Sequence, residues 1–221
     1  SADSNFQVFY NYDYGIFSGH IGGDIRLSEL TSELTWRLNY AHRRVPDSAR
    51  AAYDQYRIDL GYISIGPRQI LSLTAETEFR DYAQPDGRYN FTSWNLRGRL
   101  NRDLSQRFEA EISLESDIYR YSEPDIINRN YLLLRSEIEL LYKLKGLRLG
   151  PLGGLESRSE EVYEDIELDG FGEDYKQWKG GLHGDFMGRA GLFFDAEIAY
   201  GHRVYASETD FLSSYYFWSF S

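Results

Sequence analysis

The amino-acid sequence predicts an all-β fold, a closed antiparallel up-and-down transmembrane β-barrel of about twelve strands, formed by residues 1–221 as a single domain. Three observations support this prediction. Apolar and polar residues alternate with a period of two, the alternating segments often exceed ten residues, and the connections between them are short and long in turn. Period-two alternation is typical of strands with two chemically different faces, and alternating loop lengths are typical of membrane barrels.

The strands follow from the alternation in chain order. In one clear segment Leu34, Trp36 and Leu38 are separated by Thr35 and Arg37. The pattern is equally clear at 71–80, 94–101, 108–115, 134–142, 178–186 and 192–200. With the weaker segments, we expect strands near 6–13, 16–27, 32–44, 53–65, 69–83, 90–103, 106–121, 129–144, 146–159, 174–187, 190–206 and 211–221. Such strands are longer than those of most globular sheets and long enough to cross a bilayer.

The connections divide into two classes. Short turns are expected at 28–31, 66–68, 104–105, 145–146 and 188–189, and longer polar loops at 45–52, 84–89, 122–128 and 160–173. With an even number of strands, both chain ends lie on the side of the short turns. Glycines within the strands, such as Gly150 beside Pro151, are expected at bends and bulges.

Composition excludes some functions. The net charge of −11 disfavours nucleic acid as a partner. The chain has no cysteine, so it has neither disulfides nor thiolate metal sites. Aromatic residues make up 16% of the chain, an excess that interfacial aromatic girdles would produce.

The polar face of each strand carries most of the charge, and we expect this face to line a hydrated interior, because twelve strands enclose more space than apolar side chains readily fill. Arginines and glutamates would pair there across neighbouring strands. A soluble barrel with the opposite orientation remains the alternative. The expected pore-lining residues are Arg37, Arg57, Glu76, Glu78, Arg80, Arg97, Arg99, Glu109, Glu111, Glu115, Arg135, Glu137, Glu139, Arg148, Lys179, Asp195 and Glu197.

The final segment, from Tyr215 to Ser221, reads as an aromatic C-terminal strand. Together with the long strands and unequal loops, it resembles the bacterial outer-membrane β-barrel class over essentially the whole chain. This class usually ends on Phe or Trp, whereas the chain ends on Ser221. The resemblance implies a location in the outer membrane of a Gram-negative cell envelope, with membrane lipid and lipopolysaccharide as partners. The size is similar to that of acidic-oligosaccharide porins, the nucleoside channel and the outer-membrane phospholipase, and no motif selects among them.

The expected function is therefore that of a small porin-like channel for passive transport of a small hydrophilic solute, with no enzymatic activity, cofactor or metal. Arg37, Arg57, Arg97, Arg99 and Arg135 could attract anions, or could simply neutralise the glutamates. One alternative is a non-conducting barrel that anchors or assembles with other envelope proteins. A minor alternative is a hydrolase that uses His42 or His202 with Ser207, Ser213 or Ser214.

Two further features have weaker interpretations. The segment 156–174 is rich in carboxylates that could bind Ca²⁺ or bridge lipopolysaccharide, although such charge runs are more often simply solvated. His20 and His183 have no cysteine or nearby histidine partner, so zinc is not expected there.

Overall fold

The computed structural model describes residues 2–11, 14–28, 31–45, 52–83, 89–124, 128–160, 174–187, 193–206 and 214–221, with side chains from residue 15 onward except that of Ser28. These residues form one sheet of twelve strands whose order follows the chain. The strands are β1 (Ala2–Asn11), β2 (Tyr14–Ser28), β3 (Ser32–Arg44), β4 (Tyr53–Gly66), β5 (Gln69–Tyr82), β6 (Phe91–Asp103), β7 (Phe108–Tyr121), β8 (Tyr131–Leu144), β9 (Leu147–Glu160), β10 (Tyr175–Met187), β11 (Phe193–Tyr205) and β12 (Tyr215–Phe220). None of the described residues belongs to a helix that is long and apolar enough to span a membrane.

The antiparallel up-and-down sheet confirms the coarse fold prediction. Most predicted strands agree with the observed bounds to within a few residues, whereas β1 begins at Ala2 rather than near residue 6. The pairing found in the described residues runs from β1 to β12 without a pair between these two strands, so barrel closure stays a prediction.

Contacts divide the chain into two compact units. Unit 1 contains Ser1–Ser64, Ser72–Arg97 and Ser116–Leu132, and unit 2 contains Ile65–Leu71, Gly98–Glu115 and Leu133–Ser221. The predicted single domain stays a prediction.

The two faces of the sheet differ in burial in the direction expected for a membrane barrel. We call the face that carries the alternating ionisable residues the polar face and the opposite one the apolar face. In unit 2, Asp185 on the polar face is 6% exposed, whereas Leu155 on the apolar face is 66% exposed. In unit 1 the corresponding values are 9% for Glu78 and 57% for Leu96. A soluble barrel would bury its apolar face, so that alternative is wrong for both units.

The turn at Lys145 and Gly146 lies where it was predicted, whereas Gly150 pairs with β10 in regular register and forms no bulge there. Lys145 and Gly146 both have positive φ, 35° and 89°, in the two-residue turn between β8 and β9, which suits a type I′ hairpin. A Cβ atom on Gly150 would lie 1.9 Å from the Leu140 carbonyl oxygen, and one on Gly181 would lie 2.1 Å from that of Ile198. Adjacent strands therefore approach so closely at these positions that only glycine fits.

Candidate functional site

Ion pairs connect neighbouring strands on the polar face of unit 2. Arg135 on β8 donates from Nε to Glu156 on β9 at 2.7 Å and from a terminal nitrogen to Glu115 on β7 at 3.2 Å. Arg99 pairs with Glu111 in the same way between β6 and β7. These contacts support the prediction that oppositely charged residues pair across strands.

Other ion pairs in unit 2 reach across an intervening strand. Arg148 on β9 binds Glu109 on β7 at 3.0 Å, across β8, and also binds Asp185 on the adjacent strand β10 at 2.9 Å. Lys179 on β10 binds Glu137 on β8 at 2.5 Å. Strands two apart lie roughly 9.6 Å from each other in a flat sheet, so side chains that meet over this distance converge. The same face is the more buried one, with Glu139 8% and Asp185 6% exposed, and burial together with these contacts indicates that the polar face is the concave face of this unit.

The polar face of unit 2 also contains buried apolar side chains. Leu141 is completely buried, and Leu152, Gly181 and Ala199 form one row across β9, β10 and β11. Leu141 and Leu152 were not expected on the polar face from the sequence. The concave face of unit 2 is therefore filled by ion pairs with a small apolar patch between them.

His183 lies at the centre of a cluster of carboxylates. Its Nδ1 is 2.6 Å from Glu139, and its Nε2 is 3.1 Å from Asp195. Both nitrogens donate only when the ring carries two protons, so this arrangement suits an imidazolium. His183, Asp185 and Asp195 place potential metal-ligand atoms within 4.8 Å of one another. This cluster was not predicted because its two carboxylates are on different strands, and in the structure Asp185 binds Arg148 and Asp195 binds His183.

The polar face of unit 1 contains an open recess with a volume of about 500 Å³. Arg57 lies at its wall, where it donates from Nε to Asp59 at 2.7 Å and lies 3.2 Å from Glu76. The recess is lined by side chains of both signs and by amides. A second recess of about 340 Å³ shares Arg37, Arg57 and Asp59 with the first.

The structure places the predicted site residues on the polar face but pairs them in ways that the sequence did not specify. Glu78 binds Arg80 on its own strand at 2.5 Å, and Lys179 binds Glu197 as well as Glu137. Arg37 makes no ion pair or hydrogen bond with any residue that the structure describes, and Arg97 lines the larger recess. Whether these residues line a pore stays a prediction.

Several polar-face residues were not in the expected pore-lining set. They contribute to the same ion pairs and hydrogen bonds. Each lies an even number of residues from a predicted residue on its own strand and therefore on the same face. They are Asn39, Asp59, Asp103, Lys143, Glu156, Asp185 and Arg203 as partners of the residues above or of each other. Extending the alternation from Arg57 by two residues would have found Asp59.

Aromatic side chains form rows on the apolar face. In unit 1, Phe17, Tyr40, Tyr56 and Phe79 contact one another in turn across β2 to β5, with ring centroids 5.2–6.4 Å apart. In unit 2, Tyr200 lies 6.2 Å from Trp178 and 5.0 Å from Trp218. Rows of Tyr and Trp on an apolar face are typical of the girdles at a membrane interface.

The two histidines considered for hydrolysis have different surroundings. The Asp54 carboxylate accepts a hydrogen bond from the Tyr40 hydroxyl at 2.6 Å and lies 2.9 Å from Nδ1 of His42. His202 stacks on Tyr216 with ring centroids 4.1 Å apart. Within the described part of the chain, neither histidine contacts a serine hydroxyl. Ser207, Ser213 and most of the carboxylate-rich segment, residues 161–173, lie outside the described residues.

Comparisons with known proteins give no family. No family model and no curated protein matches the chain. Among solved structures, LpxR from Salmonella typhimurium is 10% identical, with 92% of this chain and 86% of that chain covered and a TM-score of 0.35. The β domain of the Bordetella autotransporter BrkA is 16% identical, with 99% and 93% covered and a TM-score of 0.36. Both are bacterial outer-membrane β-barrels, the class and location expected from the sequence.

The expectation that the chain has no enzymatic activity is corrected by this comparison. LpxR is an outer-membrane lipid A deacylase, and the expected absence of enzymatic activity is withdrawn. Because both TM-scores lie below 0.5, the likeness carries no argument for a particular activity of this chain.

Proposed function

We propose that the chain is an outer-membrane β-barrel that closes around its polar face and serves as a narrow passive channel for small hydrophilic solutes. The observation that carries this proposal is the burial pattern, in which carboxylates such as Glu139 and Asp185 are buried while leucines such as Leu155 are exposed. Apolar surface of this extent is stable only against lipid or another protein.

Strand length and composition support the membrane location. Strand β8 has 14 residues, which span roughly 45 Å and cross a hydrocarbon core of about 30 Å at the usual tilt. Its apolar face carries no Asp, Glu, Lys, Arg or His between Leu132 and Leu144. An open sheet edge in lipid would expose unsatisfied backbone groups, so we expect β1 and β12 to pair and close the barrel.

The polar face supports a hydrated interior. Its ion pairs include partly exposed side chains such as Arg135 and Arg57, and unit 1 keeps an open recess beside them. Mixed-sign lining of this kind is typical of porin lumens and sets selectivity through charge.

The experiment is conductance of the folded protein in planar bilayers, with folding verified by a mobility change on boiling in a detergent gel. We expect ohmic steps, and we expect Arg135→Ala to shift the reversal potential in a salt gradient toward cation selectivity. Ser136→Ala, which changes the adjacent residue on the apolar face, is the matched control and should leave the reversal potential unchanged. A reversal potential that is the same in wild type and Arg135→Ala would contradict an interior lined by Arg135.

A second candidate is a non-conducting barrel that serves as a membrane anchor or assembly partner for other envelope proteins. The complete burial of Leu141 and the ion pairs that fill the concave face of unit 2 favour it. Correctly folded protein that inserts into bilayers without any current would support this candidate and reject the channel.

A further inference from the structure

Arg37 has no hydrogen-bond or ion-pair partner among the residues that the structure describes, unlike Arg57 on the same face. It lies on β3 directly opposite Gly22 of β2 and Asp59 of β4, and it lines both recesses of unit 1. Arg57 and Arg135, by contrast, each bind two carboxylates. In the described part of the chain, no ion pair or hydrogen bond engages the Arg37 side chain.

The carboxylates nearest in the sheet register are already engaged. One oxygen of Asp59 accepts a hydrogen bond from Arg57 Nε at 2.7 Å, and the other accepts one from Asn39 Nδ2 at 2.8 Å. Glu76 binds the far side of Arg57 at 3.2 Å. Asp59, the register partner of Arg37, thus binds Arg57 and Asn39. Arg37 lines the recess, and its N–H donors are available to a ligand.

Beside Arg37 the backbones of β2 and β3 approach closely at Gly22, which has no side chain. A Cβ atom at Gly22 would lie 2.7 Å from the Trp36 carbonyl oxygen and 3.4 Å from the Arg37 Cβ. The recess of about 500 Å³ lies within the size range of small-ligand sites. A guanidinium with free donors binds a carboxylate or phosphate through two parallel hydrogen bonds.

We infer that this recess is a binding subsite for a small hydrophilic acid, whose single carboxylate or phosphate group is held by Arg37. Asp24, Glu33 and Glu76 line the same recess and repel a ligand with several negative charges, while amide and carboxylate acceptors on the wall suit hydroxyl groups. The inference deepens the proposed channel function, since it names the class of solute that the interior would select.

The test measures binding by isothermal titration calorimetry on the folded full chain in detergent. The probes are glucuronate, inorganic phosphate, and glucose as the neutral counterpart of glucuronate. We expect wild type to bind glucuronate or phosphate in preference to glucose, and we expect Arg37→Gln to weaken this binding at least 10-fold. Arg37→Lys should restore part of it. Arg107→Gln, the same chemical change in the β6–β7 turn, should bind as wild type does.

Two results would overturn the subsite: equal binding by wild type and Arg37→Gln, or no binding of either anion by folded wild type. Binding is measured without a membrane, so it is independent of conduction. Binding by a protein that passes no current would reject the channel and support the subsite. Current without binding would support the channel and reject the subsite. Whichever of the two anions binds more tightly identifies the carboxylate or the phosphate as the preferred group.

Discussion

At the scale of single residues, Arg148 shows how this protein accommodates buried charge. Its guanidinium joins Glu109 and Asp185, and Asp185 is buried. A buried carboxylate without a partner is costly, because its hydration is lost and nothing replaces it. The concave face therefore depends on complete ion pairs rather than on apolar packing alone.

We predict that Arg148→Ala lowers the free energy of unfolding by about 2 kcal/mol. Breaking a fully buried ion pair costs roughly 3–5 kcal/mol, and the Arg148 side chain is partly exposed, so we expect less. Urea unfolding in detergent micelles measures the change. Arg107→Ala in the exposed turn should stay within about 0.5 kcal/mol of wild type, and equal losses in both variants would contradict the bridging role of Arg148.

The sequence predicted the face of each charged residue but not its partner. Period-two alternation assigns a face as soon as the strand is identified, which is why Glu139 and Lys179 were placed correctly. Arg148 and Glu109 are 39 residues apart and on strands that do not pair directly, so their contact depends on sheet curvature that no local pattern encodes. Leu141 and Leu152 were missed because an apolar residue on a polar face breaks the pattern itself.

At the scale of elements, strand bounds were largely predictable and strand curvature was not. The change from alternating residues to turn residues marks the ends of a hairpin, as at Lys145 and Gly146. Close contact between strands depends on how far the sheet coils. The distance between Gly150 and the Leu140 carbonyl became visible only in the structure.

Two glycines three residues apart on β9 test this curvature. We predict that Gly150→Ala lowers the free energy of unfolding by about 1–3 kcal/mol, as expected for overpacking, because its Cβ would lie 1.9 Å from the Leu140 carbonyl oxygen. For Gly153→Ala the nearest atom is 4.0 Å away, so we expect less than about 0.5 kcal/mol. Urea unfolding of both variants measures the difference, and similar stabilities would show that the strands are not so closely spaced at Gly150.

At the scale of the whole molecule, we propose that the apolar face of the sheet packs against membrane lipid, whereas in a soluble barrel the apolar side chains pack against one another in a dry core. The apolar face carries aromatic rows and exposed leucines in each unit, and the polar face carries the ion pairs. Sequence alternation alone could not decide which face meets lipid, since a soluble barrel alternates equally well. In the structure, carboxylates of the polar face are buried and leucines of the apolar face are exposed, which favours the apolar face as the one that meets lipid.

A pair of substitutions on β8 tests how deep the apolar face lies in the bilayer. Ile138 is central in the strand and Leu144 ends it, and their exposures are similar at 56% and 53%. We predict that Ile138→Arg lowers the free energy of unfolding from lipid vesicles by about 2–4 kcal/mol, and Leu144→Arg by about 0–1 kcal/mol. If this face were exposed to water, both substitutions would change the free energy of unfolding by the same small amount. That outcome would contradict a membrane-spanning strand.

The most direct measurement of the central claim uses the absence of native cysteine. Ser136→Cys places a nitroxide label on the apolar face of β8, and Ser113→Cys places one on the polar face of β7. In lipid vesicles, electron paramagnetic resonance compares how strongly each label is relaxed by oxygen, which concentrates in lipid, and by a water-soluble nickel chelate. We predict that oxygen dominates at residue 136 and nickel at residue 113. The reverse result, or equal access of nickel to both labels, would contradict the proposed orientation of the sheet in the membrane.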